Sequence, residues 1–158
     1  MPKKLLITLI VLILAFSFGC APPKEELEAE LNCTIAVTCH ELAADPSVLE
    51  PDKQELVPED GFILPLTPVL FFPEEDACNL LIRTLRASGI QIDVEKMPGT
   101  GDYYVKGINN LYEMEAGSFS GWICKVNDEI LDYSSSAYLL QEGDAVEFFY
   151  AKDYSIYW

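Results

Sequence analysis

His40 is the only histidine in the sequence, and it stands in Cys39-His40-Glu41, three residue types that bind metals. Consecutive residues seldom converge on one ion, and neither a second histidine nor a Cys-x-x-Cys pair follows, so no metal site is expected. The 26 Asp and Glu residues could supply the two carboxyl groups that a glycosidase places across one bond. Scattered along the chain, they single out no pair. Phosphate-loop, Gly-x-Ser-x-Gly, His-Glu-x-x-His and EF-hand patterns are absent. Gly99-Thr100-Gly101 lacks the βαβ surroundings of a dinucleotide site. No catalytic residue and no cofactor is expected, and the chain does not read as an enzyme.

Aromatic residues are the stronger lead. Tyr103, Tyr104, Tyr112, Phe119, Trp122, Tyr133 and Tyr138 fall between positions 103 and 138. A flat, partly exposed ring can cover a planar ligand, a sugar or an apolar side chain, and the same rings can equally fill a core. Trp122 is open to both roles. Strand alternation turns Tyr103 and Tyr104 to opposite faces, so one of them points inward. The hydroxyls of Ser134, Ser135 and Ser136 can reach a ligand or satisfy a turn.

The elements that must position these residues follow an N-terminal leader. Lys3 and Lys4, the apolar run Leu5–Phe16 and the small residues Ser17 and Gly19 have the layout of a secretory signal, residues 1–19. The run is shorter than the ~20 apolar residues a spanning helix needs. Gly19-Cys20 resembles the bacterial lipoprotein cleavage site, which makes Cys20 the expected lipidation site. Residues 20–32, with paired prolines and many glutamates, read as an acidic tether. Export to the outer face of the cell membrane follows, held there by lipid alone.

Past the tether, "CTIAVTC" (33–39) alternates like a strand. Extended, it would hold Cys33 and Cys39 ~20 Å apart, too far to bond. Residues 40–44 fit a short helix. "TPVLFF" (67–72) is a second strand, which Pro65 and Pro68 assign to a sheet edge. "PEEDACNLLIRTLRASGI" (73–90) is the clearest helix. Acids open it, Gly89 closes it, and Ala77, Cys78, Leu81, Thr84, Leu85 and Ser88 form its buried stripe. Strands follow at 90–95 and 102–109, then a hairpin from Trp122 to Tyr133 turning at Asn127-Asp128. A last strand occupies 145–151, and an aromatic tail covers 154–158. One helix against a mixed sheet gives an α+β fold.

Charge narrows the partners. The chain carries 26 acidic against 10 basic residues, −16. Losing Lys3 and Lys4 with the leader leaves 8 basic against 26 acidic, −18. Nucleic acid is excluded, because binding it requires a positive field. A monomer with a small-molecule ligand, or a surface protein or glycan partner, is expected.

The stretch "YYVKGINNLYEMEAGSFSGWICKVNDEILDYSSSAYLLQEGDAVEFFYAKD" resembles the transcobalamin-like C-terminal domain family. The marks are Gly107-Ile108-Asn109, Ser120-Gly121-Trp122, Val126-Asn127, Ser136-Ala137-Tyr138, Gly143-Asp144 and Glu147. "DGFILPLTPVLFF" and the helix extend the resemblance over residues 33–153. It implies a β-grasp-like sheet holding one main helix, similar to the small domain that closes over cobalamin in vitamin carriers. The large helical domain of those carriers is absent. In bacteria the family occurs as an exported domain of unassigned function. A non-catalytic binding module is therefore expected, with cobalamin or a similar flat molecule as leading ligand. Tyr104, Asn109, Tyr112, Trp122, Tyr133, Ser135 and Tyr138 are its candidate ligand-binding residues. The alternative is a structural or adhesive surface module.

Cys78 and Cys124 occupy positions where the family more often carries bulky apolar residues. Trp122, Cys124 and Val126 share a strand face, so a Cys78–Cys124 disulfide between strand and helix is expected, worth ~4 kcal/mol for so long a loop. The alternative is two buried free thiols serving as small hydrophobes.

Overall fold

The computed structural model describes residues 31–157. The leader, Cys20, most of the tether and Trp158 lie outside the described residues. The elements run β1 (Leu31–Thr38), α1 (His40–Ala44), α2 (Pro51–Gln54), β2 (Phe62–Phe71), α3 (Ala77–Ala87), β3 (Ile92–Lys96), β4 (Tyr103–Ile108), β5 (Leu111–Tyr112), β6 (Gly121–Val126), β7 (Glu129–Ile130) and β8 (Ala145–Ala151). Short 3₁₀ turns occupy Pro46–Val48, Ser135–Ala137 and Tyr154–Tyr157.

The fold is α+β, as expected. Five strands form a mixed sheet in the order β2-β1-β8-β6-β7. Its one parallel contact joins β1 to β8, with Ile35 opposite Val146 and Val37 opposite Phe148. The single sheet of a simple grasp is replaced by two, because β3, β4 and β5 form a separate antiparallel sheet. β2 is an edge strand, as Pro65 and Pro68 require. It is longer than its apolar core suggests, and β1 starts two residues before Cys33.

Period-2 alternation sends Cys33, Ile35 and Val37 of β1, Val146 and Phe148 of β8, and Cys124 and Val126 of β6 into one core. Leu81 and Leu85 of α3 meet them there, with Val105 and Ile108 from the second sheet. Helix α3 begins later than its acidic prelude suggests. Asp76 is the N-cap and accepts the Asn79 N–H at 2.8 Å. The C-terminus is a Schellman motif: the Ile90 N–H reaches the Leu85 carbonyl at 2.9 Å and the Gly89 N–H the Arg86 carbonyl at 3.2 Å. Gly89, at φ +70°, supplies the left-handed residue this closure needs. Ser88 is exposed rather than part of the buried stripe, which includes Leu80 and Ile82 instead. Arg83 turns back from the C-terminal half to Glu75, with Nε to Oε1 at 2.5 Å.

A second core joins Cys39, Leu42, Leu49, Leu111 and Tyr150, and Trp122 packs against both cores. The Asn127-Asp128 turn has φ of 52° and 68°, the left-handed pair that a two-residue hairpin requires. Its second strand stops at Ile130, well before Tyr133. Asn109 and Asn110, at φ 52° and 59°, form a second turn of the same kind between β4 and β5. The tail packs: Tyr154 meets Phe119 edge-on at 6.0 Å, and Tyr157 meets Phe149 at 5.7 Å.

The disulfide expected between Cys78 and Cys124 is not formed. Cys33, Cys39, Cys78 and Cys124 are free, buried thiols. Cys78 and Cys124 share one core and lie near enough for a thiolate at Cys78 to oppose one at Cys124. Burial raises the pKa of both. Both thiols are buried among apolar neighbours in this structure.

Candidate functional site

A cleft of about 470 Å³ opens between the two sheets. One wall is β4 with the turn before it, and the other is β6 with residues 131–135. Phe148 of β8 contributes to its lining. The volume falls within the range of small-molecule sites.

Four of the seven candidate residues come together here: Tyr104, Trp122, Tyr133 and Ser135 all line the cleft. Tyr104 is 41% exposed, Tyr133 51%, and Met97 on the β3–β4 turn 45%. Exposed large apolar side chains converging on one concavity are the usual mark of a binding surface. Tyr104 is the open member of its pair. Its hydroxyl donates to Glu113, and burial followed by that carboxylate raises its pKa. Tyr103 is the more buried ring, packed against the main core, although it also reaches the cleft.

Trp122 serves both roles that the sequence left open. It lines the cleft, its Nε1 donates to the Leu111 carbonyl at 3.0 Å, and its ring meets Tyr150 edge-on at 5.2 Å. Ser135 is buried at the cleft wall. Its neighbours hold the turn: Ser134 Oγ accepts the Ser136 N–H at 3.2 Å, and Ser136 Oγ accepts the Tyr103 N–H at 3.0 Å. That last bond ties residues 134–136 to the opposite wall.

The other three candidates lie outside the cleft. Asn109 is a turn residue whose Nδ2 donates to the Leu56 carbonyl at 3.0 Å, pinning the 40–61 segment. Tyr112 lies under Lys53, whose Nζ is 5.4 Å from the ring centroid, and its hydroxyl accepts from Gln91. Tyr138 donates to buried Asp144 at 3.0 Å. Asp144 also accepts from Asn127 Nδ2 and from the Gln141 N–H, both at 2.8 Å. All three hold the scaffold, and two of them, Asn109 and Tyr138, are among the sequence marks.

Gly121 needs no special backbone approach, since an added Cβ would meet nothing nearer than 3.6 Å. Gly107 is crowded instead: a Cβ there would sit 2.7 Å from the Tyr112 ring. Met97, Asp102, Asp132 and Phe148 complete much of the cleft and are not singled out by the sequence. The only local sign for two of them is that Met97 and Asp102 flank the Pro-Gly-Thr-Gly turn.

A smaller hollow of about 330 Å³ lies between His40, Lys125, Phe149 and Tyr157. Its polar groups pair with one another. Glu147 accepts from the Thr38 hydroxyl at 2.7 Å and binds Lys125 at 2.9 Å, and Glu41 accepts from the Tyr157 hydroxyl at 3.4 Å. Among the described residues, no three His, Cys, Asp or Glu side chains gather as a metal site would require.

Residues 90–152, which contribute most of the cleft, match the family model described as Domain of unknown function (DUF4430). Among solved structures, the chain is similar in fold to haptocorrin in complex with Cbi. The match has a TM-score of 0.58 at 12% identity, over 85% of this chain and 29% of that one. The chain thus spans under a third of the haptocorrin chain. A structure described as "a putative metal binding protein from Ruminococcus gnavus" matches at a TM-score of 0.46 and 14% identity, over 79% of this chain and all of that one. No curated protein matches the sequence.

Proposed function

We propose that the chain is a non-catalytic binding module that takes a flat small molecule into the cleft between its sheets, with cobalamin or a related macrocycle as the leading class. The observation that carries this reading is the convergence of Tyr104, Trp122, Tyr133 and Met97 on one 470 Å³ cleft. Planar aromatic walls suit a planar ligand, and the buried Ser135 offers a fixed polar contact. The likeness in fold to a protein crystallised with Cbi supports a corrin as the first ligand to try. The same reading has the protein exported, attached through lipid at Cys20, monomeric and free of any resident cofactor.

The test is titration of the full-length protein with cobalamin, following the ligand's visible spectrum and tryptophan fluorescence. A saturable change in both is expected. No saturable change up to high micromolar ligand removes the corrin from this reading.

A further inference from the structure

The cleft has a marked charge character as well as an aromatic one. Asp102 lies on the β3–β4 turn and Asp132 follows β7, so the two residues line opposite walls of the cleft. Among the described residues no Lys, Arg or His lines the cleft itself; the cation beside it is Lys96, whose Nζ lies 6.0 Å from the centroid of the Tyr103 ring. Neither carboxylate takes part in a salt bridge or side-chain hydrogen bond among the described residues. Elsewhere on the surface, acids are commonly partnered: Glu75 by Arg83, Glu115 by Lys53 and Glu147 by Lys125. Both cleft carboxylates therefore have acceptor capacity and charge left to offer a ligand.

We propose that the cleft selects planar ligands whose rim carries positive charge or amide N–H donors, and rejects those with an anionic rim, through Asp102 and Asp132. This inference rests on the planar-ligand reading of the cleft. The aromatic walls take the face of the ligand and, through their negative π faces, add a cation preference of their own, which the Asp102 and Asp132 substitutions leave in place. The two carboxylates take its edge, where an N–H gains a charge-assisted hydrogen bond, a cation gains Coulomb attraction and an anion meets repulsion. The excess of acidic residues over the whole chain works in the same direction at longer range.

Two porphyrins of opposite charge test it: the tetracationic tetra(N-methylpyridyl) and the tetra-anionic tetra(sulfonatophenyl) forms, titrated against the full-length protein by their visible absorption. The wild type is expected to favour the cation by about tenfold or more, and Asp102→Asn/Asp132→Asn to narrow that preference roughly three- to tenfold, as for exposed charge pairs. Glu55→Gln/Glu59→Gln neutralises two exposed acids outside the cleft and controls for net charge, with an expected change below twofold. An equal effect from both double variants overturns the selection by Asp102 and Asp132 but leaves the planar-ligand reading standing. Binding of neither porphyrin, with no response to cobalamin, overturns that reading and this inference with it.

Discussion

Trp122 on β6 donates its indole N–H to the carbonyl of Leu111 on β5, 3.0 Å away. One side chain therefore joins the five-stranded sheet to the three-stranded one while forming part of the wall between them. Trp122→Phe keeps a ring in the cleft but leaves a carbonyl without its partner. A loss of about 1–3 kcal/mol is expected, read from urea unfolding. An unchanged midpoint would show that the bond does not hold the sheets.

Ligand affinity should depend on the exposed rings and not on the ones that hold the scaffold. Tyr104→Ala and Tyr133→Ala are each expected to weaken cobalamin binding about tenfold, as loss of a stacking contact does, with little change in thermal stability. Tyr138→Phe, which removes only the bond to Asp144, should lower stability and leave affinity within about twofold. The reverse pattern would move the site away from the cleft.

The Gly107 and Tyr112 pair predicts a steric rescue. An added Cβ at Gly107 would strike the Tyr112 ring at 2.7 Å. Gly107→Ala should cost about 1–3 kcal/mol through overpacking, and adding Tyr112→Leu should recover part of it. A double variant no better than the single one, measured by denaturant unfolding, would place the strain elsewhere.

The thiols predict an alkaline limit. Burial pushes Cys39 up to about 12 and Cys33 up to about 11 from an ordinary value of 9.0. A folded-state value above the unfolded one gives stability that is whole below about pH 9 and is lost as pH rises toward 12. Unfolding midpoints should fall across that window, less steeply in Cys39→Ala. Alkylation in denaturant without reductant should modify Cys33, Cys39, Cys78 and Cys124 alike; protection of Cys78 and Cys124 would show a bridge after all.

The β2 edge predicts a change in association. Pro65 and Pro68 remove backbone donors from a ten-residue edge strand that also exposes Leu66 and Leu70. Pro65→Val/Pro68→Val restores those donors and should produce concentration-dependent oligomers by light scattering, as for an unprotected edge. A double variant that stays monomeric at high concentration would show that the prolines do not guard this edge.

Local signals were readable where one short stretch decides the outcome. The acids, apolar stripe and Gly89 placed α3, and Asn127-Asp128 placed a hairpin turn. The Asn109-Asn110 turn carries the same signal, although Asn109 also reads as a ligand contact. The separation into two sheets was hidden, because the break between β5 and β6 depends on which distant strands pair. The cleft inherits that difficulty. Tyr104, Trp122, Tyr133 and Ser135 are legible as an aromatic and hydroxyl cluster. Phe148 and Asp132 reach the site only through the packing of β8 and the early end of β7.

The pairing of β1 with β8 has a consequence in time. The first and last strands among the described residues are neighbours inside the sheet, so a chain emerging from the ribosome lacks a central strand until β8 has been made. Phe148, on that strand, also lines the cleft. The main core and the cleft wall both draw on β8, so both depend on a strand pairing far apart in sequence, the kind that forms slowly. Until β8 docks, the sheet lacks its middle strand and the cleft lacks Phe148 together.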